Sequence, residues 1–230
     1  MKTIGMLGGM SWESTANYYK EINELTKQQL GGFHSAKIAM VSVNFDEIEK
    51  LQHAGEWGQT AEMLSQAAQS VERAGADFVL ICTNTMHKVA NQIEDAITIP
   101  LLHIADATAE ALKAAGVHKV GLLGTAFTME QDFYKGRLQE QHGIDVIVPN
   151  GVQRKLVHDV IYQELVQGIV NNRSRTDFLT IIQDLHEQGA QAVILGCTEI
   201  AMLVQQQDTS VPLFDTTAIH AKAAVEKSLA

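Results

Sequence analysis

Ala74-Gly-Ala-Asp-Phe-Val-Leu-Ile-Cys-Thr83 and Gln188-Gly-Ala-Gln-Ala-Val-Ile-Leu-Gly-Cys197 are the stretches that decide the fold. Each is a Gly-Ala turn that runs into a short apolar strand and then into polar residues. They lie 114 positions apart. Two more pairs recur in the same order. Ile4-Gly-Met-Leu-Gly8 is matched 116 positions on by Val120-Gly-Leu-Leu-Gly124, and Ile99-Pro-Leu-Leu102 is matched 112 positions on by Val211-Pro-Leu-Phe214. Any one match is a common apolar strand. Three in one order, with offsets drifting by only a few residues, point to two copies of one unit.

Working outward, short apolar runs occur at Thr3–Leu7, Ile38–Val43, Phe78–Ile81, Leu101–Ile104, Val120–Leu123, Asp145–Val148, Ala192–Leu195 and Pro212–Phe214. Segments of helical period separate them. Over Thr176–Gln188, residues Phe178, Ile181, Ile182 and Leu185 fall on one face, and Gly189 suits the C-terminal cap. Alternating strands and helices with nearly continuous apolar strands predict parallel sheets buried on both faces. The expected fold is α/β, with two pseudo-symmetric α/β domains, central parallel sheets and an active-site cleft between them. The expected boundaries are 1–103 with 213–230 for the amino-terminal domain and 104–212 for the carboxy-terminal one. Ligands in such sheets sit beyond the carboxyl ends of strands. The segments to inspect are therefore Gly8–Ser11, Thr83–Thr85, Thr125–Thr128 and Cys197–Glu199.

The 230 residues carry 17 basic and 27 acidic side chains, a net charge of −10 with histidine neutral. Such a balance argues against nucleic acid as a partner, because nothing would neutralise a phosphate backbone. It also repels anionic membrane surfaces. A small anion remains possible, since local donors decide its binding. The opening MKTIGMLGGMSWEST lacks the long apolar stretch of a signal peptide, and no run approaches a membrane span. The expected location is therefore cytoplasmic. Two cysteines, 82 and 197, form no disulfide framework, and a bridge between them is disfavoured in a reducing compartment. The nine histidines show no HxH, HxxxH or HExxH spacing and there is no CxxC, so no metal site is expected.

Gly8 and Gly9 read as a tight strand-to-helix turn rather than a nucleotide loop, because neither GxGxxG nor GxxxxGK[ST] occurs. Such a turn could hold a carboxylate with its backbone N–H groups. Cys197 ends an apolar strand at Gly196-Cys-Thr-Glu199, where a helix N-terminus is expected to lower its thiol pKa. Glu199 is a carboxylate that could take or return the thiol proton. The 114-residue offset pairs Cys197 with Thr83, not with Cys82, which reads as buried strand interior. Side chains alternate faces along a strand, so Cys82 and Thr83 cannot point the same way. His87 could orient a base, bind a carboxylate or be an ordinary first-turn helix residue. Gln52 and His53 are placed in a polar loop within reach of the expected cleft. Trp12 and Trp57 read as packing residues.

These residues resemble the aspartate/glutamate racemase family over the whole chain. The opening Gly5-Met-Leu-Gly-Gly-Met-Ser-Trp-Glu-Ser-Thr15 with its following Tyr-Tyr helix is similar to the family's start. Thr83-Asn84-Thr85-Met86-His87 is similar to its Cys-Asn-Thr-x-His motif, with Thr in place of Cys, and Gly196-Cys197-Thr198-Glu199-Ile200 is similar to its second motif. The resemblance implies an amino-acid racemase that uses neither pyridoxal phosphate nor metal, and a homodimer. One thiolate removes the α-proton and a thiol on the other face returns one. Carried over by motif, Cys197 and Thr83 are the opposed pair. Met10, Ser11, Asn84, Thr85, Thr198 and Glu199 surround the substrate, with Thr125 added by the repeat and Gln52 as a side-chain contact. A threonine hydroxyl is too weakly acidic to supply an anionic base, so the two faces are unequal. A single-cysteine decarboxylase or isomerase of the same superfamily, or a non-catalytic amino-acid-binding protein, are the competing readings. Aspartate, glutamate and neutral polar amino acids such as homoserine all stay open as substrates.

Overall fold

The glycine-punctuated apolar runs become the central strands of two parallel sheets. The structure is a computed structural model that describes residues 1–230. In chain order the first part contains β1 (Ile4–Gly8), α1 (Trp12–Leu30), β2 (Ile38–Ser42), α2 (Phe45–Ala54), α3 (Trp57–Arg73), β3 (Phe78–Ile81) and α4 (Ala90–Asp95). The second contains α5 (Ile104–Ala114), β4 (Lys119–Leu123), α6 (Ala126–Glu130), α7 (Asp132–His142), β5 (Asp145–Ile147), α8 (Gly151–Gln163), α9 (Asn172–Glu187), β6 (Ala192–Leu195), α10 (Ile200–Leu203) and β7 (Leu213–Asp215), and the chain closes with α11 (Thr216–Leu229), most of which returns to the first. Two compact units result, Met1–Ile104 with His220–Ala230, and Ala105–Ile219.

The first sheet has the order β2-β1-β3 and the second β5-β4-β6-β7, all parallel. An isolated parallel bridge from Val79 to Leu101 stands in the first unit where Val193 pairs with Leu213 in the second. The repeat holds at the level of single hydrogen bonds. Ile4 sits opposite Phe78 as Val120 sits opposite Ala192. The Asp77 amide donates to the Thr3 carbonyl as the Gln191 amide does to Lys119, at 2.9 and 2.8 Å. The Cys82 amide donates to the Leu7 carbonyl as the Gly196 amide does to Leu123, at 2.9 and 2.7 Å. Cys82 is therefore the counterpart of Gly196, and Thr83 that of Cys197.

Apolar runs without polar alternation can be buried on both faces, and β1 and β3 of the first sheet are. Phe78, Leu80 and Cys82 pack with Tyr18 and Ile22 of α1 and with Ala221, Ala224 and Val225 of α11. Val79 and Ile81 face the other way, against Leu64, Ala68 and Val71 of α3. In the second unit Val193 and Leu195 pack with Phe178, Ile181, Ile182 and Leu185 of α9. Burying each such large side chain is worth about 1.5–3 kcal/mol, which pins the strand ends that carry the polar residues.

Four expectations change. The sequence reading starts the returning amino-terminal segment at residue 213, whereas β7 (Leu213–Asp215) is an edge strand of the second sheet and the second unit runs on to Ile219. The run Leu101–Ile104 makes only one bridge before Ile104 opens α5, because the chain turns away after the Leu102 amide bonds to Val79. Gln52 and His53 lie in α2, whose four-residue spacing of Ile48 and Gln52 gives it a buried face. The helix read over Thr176–Gln188 starts one turn earlier, because Asn171 caps it by accepting from the Arg173 amide.

Candidate active site

In the first unit, β1 leads into a turn that only glycines fit. Gly9 has φ +92° and a Cβ there would meet the Val43 carbonyl at 2.2 Å; one on Gly8 would meet Thr15 Cγ2 at 2.3 Å. Thr15 Oγ1 accepts from the Gly9 amide and donates to the Ser11 carbonyl, both at 2.8 Å. Ser11 caps α1 by accepting from the Ser14 amide, and Ser14 Oγ donates to the Cys82 carbonyl at 3.1 Å. The Gly8–Ser11 turn is thereby tied to the end of β3. Met10 and Ser11 are buried within it.

Beyond β3, Thr83 is partly exposed while Asn84, Thr85 and His87 are buried. The segment Thr85–Val89 is a 3-10 helix. His87 Nδ1 lies 2.8 Å from the Thr83 carbonyl and its Nε2 accepts from the Ile104 amide at 3.2 Å. Burial, with the neighbouring His103 and His220, holds its pKa well below the ordinary histidine value. His87 is therefore neutral and engaged with backbone on both nitrogens. Cys82 is completely buried, and burial pushes its thiol pKa far up.

In the second unit, Thr125 caps α6, its Oγ1 accepting from the Thr128 amide at 3.4 Å, and the Ala126 amide donates to His158 Nδ1 at 3.2 Å. Cys197 follows Gly196 at the end of β6 and donates from Sγ to Glu199 Oε2 at 2.9 Å. Thr198 Oγ1 accepts from Thr217 Oγ1 at 3.2 Å. Thr217 is held in turn by the Asp215 carboxylate, which accepts from the Thr217 and Ala218 amides at 2.9 and 3.4 Å. Burial raises the Asp215 pKa, offset partly by those two amides. The expected lowering of the Cys197 pKa is corrected. Burial first, and then the Glu199 carboxylate, raise it well above the ordinary thiol value. The following helix α10 has only four residues, too few for a macrodipole to compete with a carboxylate in contact.

The structure gathers Met10, Ser11, Thr83, Asn84 and Thr85 at the carboxyl ends of β1 and β3 in one unit. It gathers Thr125, Cys197, Thr198 and Glu199 at those of β4 and β6 in the other. Gln52 is buried on α2, whereas His53 is exposed and pairs with Glu49, and Lys50 pairs with Asp46 at 2.7 Å on the surface. Trp12 is 67% exposed and is not a packing residue. Trp57 carries the Lys88 ammonium 4.0 Å over its ring. Sequence reasoning missed Asp215 and Thr217. The Asp-Thr-Thr step between an apolar strand and a helical run is a helix-start signature that could have found them.

The model of the Asp/Glu/hydantoin racemase family matches residues 7–224. The chain belongs to this family. A broad-specificity amino-acid racemase of Bacillus subtilis, RacX, is 23% identical over 99% of this chain and 98% of its own length. A crystal structure from Yersinia pestis, of a protein named after the Asp/Glu racemases, is 56% identical with a TM-score of 0.96, covering all of both chains. An aspartate racemase homologue from Pyrococcus horikoshii is 35% identical with a TM-score of 0.88, again over all of both chains. Racemases are isomerases, and this racemase-family chain shares their two-unit α/β architecture. No helix is long and apolar enough to cross a membrane.

Proposed function

We propose that the chain is a cofactor-independent amino-acid racemase in which Cys197, coupled to Glu199, exchanges the α-proton on one face. Thr83 is the group that the repeat assigns to the other face. The observation that carries this reading is the 2.9 Å hydrogen bond from the Cys197 thiol to the Glu199 carboxylate, at the register position of Thr83. It places a proton acceptor beside a thiol whose own pKa is high. Shifting that proton to Glu199 leaves a thiolate that can take the α-proton. The carbanion so formed needs donors aimed at the carboxylate that conjugates with it. Ser11, Asn84, Thr85, Thr125 and Thr198, with the neighbouring backbone amides, are polar groups of that type. Met10 lines the site and Gln52 contacts the substrate side chain. Thr83 cannot become an anionic base near neutrality, so it acts as a donor or through a relay.

Neither the Lys50 region nor Tyr162–Gln167 supplies a free cation for a distal carboxylate: Lys50 is paired with Asp46, and the second segment has no basic residue. The substrate range accordingly includes neutral polar amino acids such as homoserine beside aspartate and glutamate. A cytoplasmic setting would keep the Cys197 thiol reduced, and a homodimer is the assembly that the resemblance implies.

The test is incubation of the purified protein with single L-amino acids in heavy water, with chelator and without added pyridoxal phosphate. Loss of optical activity with α-deuterium incorporation supports the proposal. Carbon dioxide release would favour the decarboxylase, and binding without exchange would favour a non-catalytic amino-acid-binding protein. A requirement for metal or a Schiff-base absorbance would overturn the cofactor-independent mechanism.

A further inference from the structure

We propose that His87 is a positioning residue that holds the Thr83 turn through its backbone. Its Nδ1–H donates to the Thr83 carbonyl at 2.8 Å, and its Nε2 accepts from the Ile104 amide at 3.2 Å. The two bonds decide the tautomer between them. A backbone amide can only donate, so Nε2 carries no proton. A carbonyl can only accept, so Nδ1 does carry one. The ring is thus a fixed strut, not an acid or a base. It packs against His103 at 4.5 Å between ring centroids and His220 at 6.0 Å. His220 is locked in the opposite tautomer, with Nδ1 accepting from the Tyr18 hydroxyl at 2.9 Å and Nε2 donating to the Leu102 carbonyl at 2.8 Å. His87 and His220 therefore grip the same short segment, one at the Ile104 amide and the other at the Leu102 carbonyl.

The second unit has no such strut. The position 114 residues beyond His87 is Ala201, and the Cys197 carbonyl accepts from the Ile200 amide at 3.1 Å instead. A carbonyl held by a side chain fixes the peptide plane after Thr83, and with it the position of the Cα from which the Thr83 side chain projects. Misplacing a reacting group by about 1 Å can cost about 10²-fold in rate, so a strut matters most where the group is a weak donor. This inference rests on the proposed role of Thr83.

Two substitutions separate the bonds. In His87→Asn the amide nitrogen replaces Nδ1–H and keeps the Thr83 bond. In His87→Gln the longer amide reaches the Nε2 position, keeps the Ile104 bond and releases Thr83. In heavy water, we expect His87→Gln to lower exchange that depends on Thr83, read from the D enantiomer, by about tenfold or more, with KM unchanged. His87→Asn should stay within about threefold of the parent. Exchange from the L enantiomer should hold in both. Equal behaviour of Asn and Gln, or a parallel loss from both enantiomers, overturns the inference. Should neither variant fold, nitrogen NMR of the unaltered protein decides. The expected signal is an Nδ1-protonated, Nε2-unprotonated His87 that does not titrate from about pH 5 to 9. An Nε2-protonated or titrating ring overturns it. If the unaltered protein exchanges neither enantiomer, the racemase reading fails instead, and the NMR result still reads the strut.

Discussion

At one register position the two units carry different chemistry. The first presents Thr83-Asn84-Thr85 and the second Cys197-Thr198-Glu199. The backbone context is the same, since equivalent amides bond to equivalent carbonyls immediately before each turn. The offset that matches Thr83 to Cys197 also matches Thr85 to Glu199. The thiol–carboxylate pair of the second unit thus corresponds, in the repeat, to two hydroxyl residues of the first. Duplication has kept the scaffold and let the proton chemistry diverge twice at positions two residues apart. A single Thr83→Cys change would supply a thiol without the carboxylate that accepts its proton.

The largest effect should come from Cys197. Cys197→Ala, or the hydroxyl isostere Cys197→Ser, is expected to cut α-proton exchange from the L enantiomer by about 10³-fold, measured by deuterium wash-in. Full exchange in either variant would break the comparison. Glu199→Gln comes next. Its carboxylate is the second cause of the raised thiol pKa after burial, so removing the charge lowers that pKa and increases the thiolate fraction at fixed pH. Alkylation of Cys197 by iodoacetamide should accelerate, while turnover falls about 10- to 100-fold because the internal acceptor is gone. The pH profile has the matching sign. Exchange at Cys197 should climb as pH rises above neutrality, and the climb should begin at lower pH in Glu199→Gln. A third, smaller effect sharpens the comparison. Thr83→Cys with Thr85→Glu should bring saturated exchange rates from the two enantiomers closer than Thr83→Cys alone, checked by the ratio of the two rates in each variant.

Much of this was legible because the repeat is written in apolar residues, and apolar strands set register. Phe78–Ile81 and Ala192–Leu195 are read from the sequence with the bounds that the structure gives them. Thr83 and Cys197 follow as the first polar side chains beyond. What was not legible depends on three-dimensional proximity. The sign of the Cys197 pKa shift turned on whether its neighbour was a helix end or the Glu199 carboxylate, and spacing alone favours neither. The place of β7 depended on which sheet edge the chain returns to. The role of His87 depended on two backbone groups, one of them 17 residues away. Gln52 reads as loop in the sequence because one polar residue on the inner face of a helix breaks the apolar period that announces it.

The smallest expected effect concerns Cys82, and it tests the register on which the comparison stands. Were the repeat shifted by one residue, Cys82 and Cys197 would be the paired thiols. Two observations oppose that. The counterpart of Cys82 is Gly196, where an added Cβ would meet the Leu123 carbonyl at 2.8 Å, so the second unit has no room for a side chain at that position. The Cys82 side chain itself lies among Ile4, Met6, Tyr18 and Phe78, on the face opposite to Val79 and Ile81. Sheet alternation sends Thr83 to the other face. Cys82→Ala should therefore leave exchange rates from both enantiomers unchanged. Its cost is the lost sulfur contacts and a small residual cavity, about 1 kcal/mol in stability, visible as a lower urea midpoint with unchanged slope. Because Cys82 is completely buried whereas Cys197 is only partly so, iodoacetamide should label Cys197 alone in the folded protein and both thiols once it is unfolded. A Cys82→Ala enzyme as inactive as Cys197→Ala, yet folded by the urea criterion, would move the second base one residue back and dissolve the Thr83–Cys197 pairing.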